Sequence, residues 1–138
     1  MQQRDVLLTD IDSSRLQSLI EGSKLRDMRD VGSAEMLERH LDEADVMPAT
    51  HIHPDVVTMD SEVLVTDIGS GDTFSFHVVF PRSADAGEGR ISVLEPLGMA
   101  VLGRSVGARV NWDTPGGRRA LRVEDVIYQP ERSVRDDD

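Results

Sequence analysis

GRISVLEPLGMAVLGRSVGARVNWDTPGGRRALRVEDVIY, residues 89–128, decides the fold class. RISVL, ARVNW and RRALRVEDVIY alternate apolar and polar positions and are rich in β-branched residues, the pattern of half-buried strands. TPGG joins the last two as a hairpin turn. Between the first two, EPLGMAVLGRSVG holds the apolar run Met99, Ala100, Val101, Leu102 with glycines on either side, one buried helical turn between caps. Residues 98–105 of that run, GMAVLGRS, differ from the phosphate-binding pattern G-x-x-x-x-G-K-[ST] only in having Arg104 for lysine. A phosphate loop works by turning successive backbone N–H groups inward at the start of a long helix. Here the loop positions are core residues, the helix is too short, and no parallel crossover strand follows. The stretch is a packing element.

Upstream, SEVLVTDI and TFSFHVVF read as two more strands, with Phe74, Phe76, Val78 and Phe80 on one face and a turn at Gly69 to Asp72 between them. PATHIHPDVV, from residue 48, has two prolines and reads as a linker. Before it the period becomes helical. Asp12 or Ser13 can cap a helix carrying Leu16, Leu19 and Ile20, with Gly22 as its stop, and a second helix starts at Ser33 with Met36, Leu37, Leu41 and Ala44 as its apolar stripe. Each has about three turns and is marginal alone, so the pair needs the rest of the chain. The expected architecture is α+β: a short antiparallel helical hairpin (1–47), a linker (48–53), a curled antiparallel sheet with one short helix (54–131), and a disordered acidic tail (132–138).

The 138 residues suit one medium domain or a small domain with an appendage. No run reaches the roughly 20 apolar residues of a membrane span, and MQQRDVLLTD lacks a secretory apolar region, so the expected compartment is the cytoplasm. With no cysteine there is no disulfide, thiolate metal site or cysteine nucleophile. Acidic residues outnumber basic ones by 26 to 15, and the net charge of -11 repels a phosphate backbone, so no direct nucleic-acid binding is expected. A basic protein surface suits it better.

Two groups of residues can carry metal chemistry. His51 and His53, two apart in an extended linker, would face one side and could pair as metal ligands, although no third ligand is close in sequence. Asp27 and Asp30, three apart at the hairpin tip, could share a divalent cation with a partner's ligands, or simply be solvated among Lys24, Arg26 and Arg29. No G-x-S-x-G elbow is present, and nothing proposes a hydrolase.

The order ISV, a P-L-G turn, an apolar helical turn ending LG, VG before a strand and TPGG before the last strand resembles the C-terminal domain of the Gre transcript-cleavage factors and their Rnk relatives, the regulators of nucleoside diphosphate kinase. DVVTMDSEVLVTDI resembles the start of that domain, so the likeness covers about residues 54–130. The resemblance implies an FKBP-like sheet without isomerase activity and a helical hairpin that enters the secondary channel of bacterial RNA polymerase. It places Ser92, Leu94, Glu95, Pro96 and Leu97 on the polymerase-docking surface and Asp27 and Asp30 at the tip. The short arms and the ending IYQPE look like the Rnk branch, which implies a non-enzymatic regulator without a cofactor. A Mg²⁺ ion shared at the polymerase active centre belongs only to the cleavage-factor alternative.

Overall fold

The computed structural model describes the backbone of residues 6–26 and 31–132, and the side chains of these except 23–26 and 31. The chain opens with strand β1 (Leu7–Thr9), continues into helices α1 (Asp10–Arg26) and α2 (Val31–Asp42), and returns through β2 (Asp45–Met47). After a short 3-10 turn at Ala49–His51 come β3 (Glu62–Asp67) and β4 (Thr73–Val79). Next are β5 (Arg90–Ser92), helix α3 (Pro96–Val101), β6 (Arg109–Thr114) and the long β7 (Gly117–Tyr128). Five strands form one sheet in the order β5-β4-β3-β7-β6. The α+β class and all five sheet strands stand as the sequence reading had them.

The details depart from that reading where chain topology overrides local signals. The sheet is not wholly antiparallel, because β5 runs parallel to β4, with Val78 opposite Ile91. The long connection through two 3-10 turns, Pro81–Ser83 and Ala86–Glu88, reverses the chain before β5 begins. The apolar VLL near the N-terminus becomes β1, which pairs in parallel with β2, Leu8 opposite Val46. Thus a two-stranded ribbon closes the base of the hairpin. Helix α1 starts earlier than expected, because the Thr9 hydroxyl oxygen accepts the Asp12 N–H at 3.0 Å and caps it.

Gly22 does not stop α1. The helix runs on to Arg26, so its 17 residues span roughly 26 Å against roughly 18 Å for the 12 of α2. The apolar stripe of α2 is Ala34, Leu37 and Leu41, whereas Met36 is 48% exposed. Asp12, Leu16 and Ile20, four apart on α1, form a single ridge and are all buried. One contiguous core takes in Leu16, Ile20, Leu37 and Leu41 of the hairpin with Val63, Val65, Phe76, Val78, Leu121 and Val123 of the sheet. The hairpin base is therefore built into the body.

The linker and the tail are also more ordered than their composition implied. Ile52 is buried at 1% exposure, and the 3-10 turn means that 48–53 is not an extended segment. Arg132, assigned to the disordered tail, donates to the carbonyls of Pro54 and Val126, both at 2.7 Å. Gln129 donates to the His53 and Val56 carbonyls at 2.8 and 2.9 Å, so residues 129–132 lash the end of β7 to the segment entering β3. Among the described residues, no helix is long and apolar enough to cross a membrane.

Candidate functional site

The turn from β5 into α3 presents unequally the residues that the resemblance places on a docking surface. Glu95 and Pro96 are exposed, while Leu94 and Leu97 are half-buried against the core. Ser92 is not available on the surface: it is 8% exposed, and its hydroxyl oxygen accepts the Leu94 N–H at 3.1 Å. It shapes the turn from within. Pro96 at the first position of α3 has its φ set for a helix and lacks an N–H that the helix would leave unpaired anyway. The result is a rigid apolar knuckle of Leu94, Pro96 and Leu97 beside one exposed carboxylate.

Beneath that knuckle lies the joint between hairpin and body. The Gly103 N–H donates to the Val57 carbonyl at 2.7 Å, and the Gly103 carbonyl accepts the Leu7 N–H at 2.9 Å, so one residue links β1 to the segment that leads into β3. On α2, His40 Nε2 lies 2.9 Å from the Leu102 carbonyl and donates to it. Burial pushes the His40 pKa down, and Arg104 adds to this, against the Leu102 hydrogen bond and Glu43. On α1, a carboxylate oxygen of Asp12 accepts the Met59 N–H at 3.0 Å. Next to Met59, the Thr58 hydroxyl donates to Glu131 at 2.6 Å and so must accept from the Ser61 hydroxyl, 2.8 Å away. Each helix of the hairpin thus sends a polar link into the body, and Arg15 of α1 adds a cation–π contact over the Phe80 ring at 4.3 Å.

The Asp12 link predicts a pH signature. Burial, aided by Glu131 and Asp60, raises its pKa to about 6 despite the Met59 N–H and Arg15. Between the ordinary value of 3.8 and 6, the folded protein holds a proton that the unfolded chain has released. Stability from this group therefore rises as pH falls through that window, and its penalty is fully present above it. In urea titrations, wild type minus Asp12→Asn should gain about 2 kcal/mol between pH 7.5 and 4.5. His40 has the opposite sign, losing stability as pH falls from 6.5, but it cancels in the difference. A flat difference would sink the assignment.

Of the two expected metal sites, only the histidine pair falls on described residues. Asp27 and Asp30 lie outside the described residues. His51 and His53 are exposed, and His53 Nδ1 accepts the Asp55 N–H at 3.2 Å, a local turn contact. Among the described residues, no group of three His, Asp or Glu side chains could hold a metal ion. His40, Asp12 and the Gln129–Arg132 clasp escaped the sequence reading. Each bonds a partner 47 to 78 residues away, and no local spacing announces such a partner.

A helical hairpin rooted in a five-stranded sheet, with an apolar knuckle where β5 turns into α3, defines a two-part α+β architecture. The family profile "Transcription elongation factor, GreA/GreB, C-term" matches residues 51–128, and the chain belongs to the GreA/GreB family. It is 30% identical over 132 residues, 95% of both chains, to the "Regulator of nucleoside diphosphate kinase" of Escherichia coli strain K12. It is 29% identical to the "Transcription elongation factor GreA" of Syntrophus aciditrophicus over 72% of this chain and 62% of that protein. Among solved structures, "Prokaryotic transcription elongation factor GreA/GreB from Nitrosomonas europaea" superposes with a TM-score of 0.73 at 31% identity, covering 89% of this chain and 99% of that one.

Proposed function

We propose that this protein is a non-enzymatic, cytoplasmic regulator of transcription that binds bacterial RNA polymerase beside the secondary channel and occupies that entrance. The observation that carries the reading is the knuckle of exposed Glu95 and Pro96 flanked by half-buried Leu94 and Leu97, at the start of α3. Apolar groups at the centre of such a patch supply affinity, and the acidic character of the chain supplies approach to a basic rim. Correspondence with the Escherichia coli regulator along 95% of both chains supports a Rnk-type role, whereas the GreA relative is matched over only 62% of its length.

The test is fluorescence anisotropy of the labelled protein with core RNA polymerase, with and without a long-armed Gre factor as competitor. Micromolar or tighter binding that the competitor displaces is expected. Leu97→Glu should weaken it by about 30-fold, the effect of losing a central contact worth about 2 kcal/mol. An unaltered affinity for that variant would remove the knuckle from the interface.

A second reading is favoured by the Nitrosomonas structure, an elongation factor matched along 99% of its chain. In it the protein stimulates transcript cleavage, with Asp27 and Asp30 holding a Mg²⁺ ion at the polymerase active centre. Alanine at both positions separates the two: a cleavage factor loses cleavage while keeping affinity, and an occupancy regulator changes in neither respect.

A further inference from the structure

A cleft of about 390 Å³ opens between α2 and the α3–β6 edge, and two arginines line it beside two carboxylates. Arg39 and His40 enter it from α2 and Arg104 from the loop after α3. Neither arginine makes an ion pair among the described residues. Of the two carboxylates lining the cleft, Asp113 is already held by Arg118 at 2.9 Å, which leaves Glu43 alone against two guanidinium groups. In a protein of net charge -11, two uncommitted arginines in one cleft need a reason.

The Arg104 Nε supplies one. It is buried and has no hydrogen-bond partner, and it is the one such side-chain nitrogen or oxygen among the described residues. Buried donors are paired in native proteins because an unpaired one forfeits its hydration with nothing in return. A guanidinium carries its Nε–H and a terminal N–H on the same side, so a small rotation of the Arg104 side chain that brings the sealed Nε–H to the cleft lets it grip two oxygens of one oxyanion. His40 uses Nε2 on the Leu102 carbonyl, so its Nδ1 is the ring atom that gains a proton when negative charge arrives nearby.

We propose that this cleft is a binding site for a small phosphate-bearing anion, bridged by Arg104 of the body and Arg39 and His40 of the hairpin. Its volume lies in the range of small-molecule sites and exceeds what a single phosphate fills, which favours a ligand with two linked phosphoryl groups. Bound there, the anion ties α2 to the loop after α3 and stiffens the hairpin on the body, adding to the His40–Leu102 link. The site stands independently of polymerase binding. Arg104 thus contacts phosphate through its side chain, in a loop whose backbone is not built as a phosphate cradle.

The probe is inorganic pyrophosphate, titrated into the full chain by calorimetry at pH 7 in roughly 100 mM NaCl, near one Debye length of 10 Å. A single saturable site with Kd between about 0.1 and 1 mM is expected, with inorganic phosphate binding more weakly. Arg104→Gln should lose at least about tenfold in affinity and Arg39→Gln several-fold, while Arg122→Gln, on an exposed position of β7, leaves binding unchanged. In NMR titrations the His40 imidazole should hold its proton to higher pH with pyrophosphate bound. Should Arg104→Gln fail to fold, Arg39→Gln and the His40 titration decide the matter. The proposal is overturned by no saturable heat up to about 20 mM pyrophosphate, or by affinity that neither arginine variant changes.

Discussion

Gly103→Ala is expected to lower the unfolding free energy by about 3–4 kcal/mol and the melting temperature by roughly 10–20 °C. Two costs combine. The backbone at Gly103 has φ +78°, a left-handed conformation that costs an L-residue roughly 1–2 kcal/mol. A Cβ built there also lies 2.6 Å from Val6 Cγ1 and 3.0 and 3.1 Å from the Leu7 carbonyl oxygen and nitrogen. The Val6 methyl can swing aside, but the Leu7 backbone is fixed by its own hydrogen bond to the Gly103 carbonyl. Relief must come from β1 moving off the body, and β1 carries the hairpin. Adding Val6→Ala to Gly103→Ala should therefore recover less than about 1 kcal/mol, because it removes only the soft part of the clash. Calorimetric melting within about 2 °C of wild type would show that the joint is looser than its geometry.

The Gly103 result bears on what the sequence could disclose. The glycines around Met99–Leu102 were legible as punctuation of a short buried turn, since local patterning marks caps and turns. Which backbone sits against Gly103 was not, because Leu7 lies about two thirds of the chain length away. The strands were legible for a similar reason: Val63, Val65, Phe76, Val78, Leu121 and Val123 alternate inward at period two and fill one core. The parallel pairing of β5 with β4 was hidden, because alternation is the same in either direction. On α2 the three-and-four period fixed Leu37 and Leu41 but could not choose between Met36 and Ala34. Tight packing of the hairpin decided for the smaller side chain. At the candidate site, the resemblance brought Leu94 to Leu97 to notice, and the structure then separated the exposed knuckle from buried Ser92. The cleft at Arg104 joins residues more than 60 apart, and no motif foreshadows it.

Gly98→Ala gives the sharper test, because its sign is in question. Inside a helix, alanine is favoured over glycine by about 1 kcal/mol, so a loosely seated α3 would make the substitution stabilising. The structure predicts the reverse. A Cβ at Gly98 would stand 2.4 Å from the Ser92 carbonyl oxygen, 3.1 Å from its carbon and 3.2 Å from the Val93 Cα, all backbone atoms at the end of β5. None can rotate away, and that carbonyl is already engaged by the Glu95 N–H at 3.0 Å. Helix α3 must lift, drawing Met99 and Val101 from the core, and a net loss of about 3 kcal/mol is expected in urea unfolding. The lift also carries the knuckle of Pro96 and Leu97 out of place. Below its melting temperature the variant should therefore bind RNA polymerase at least about tenfold more weakly, although no surface side chain has changed. Leu97→Glu makes the complementary pair: it should lose affinity while keeping most of its stability, since Leu97 is only half-buried. If Gly98→Ala proves stabilising, α3 is free to move and the knuckle is not a rigid docking element. If it is destabilised but binds with full affinity, the fold argument holds and the partner touches the protein elsewhere.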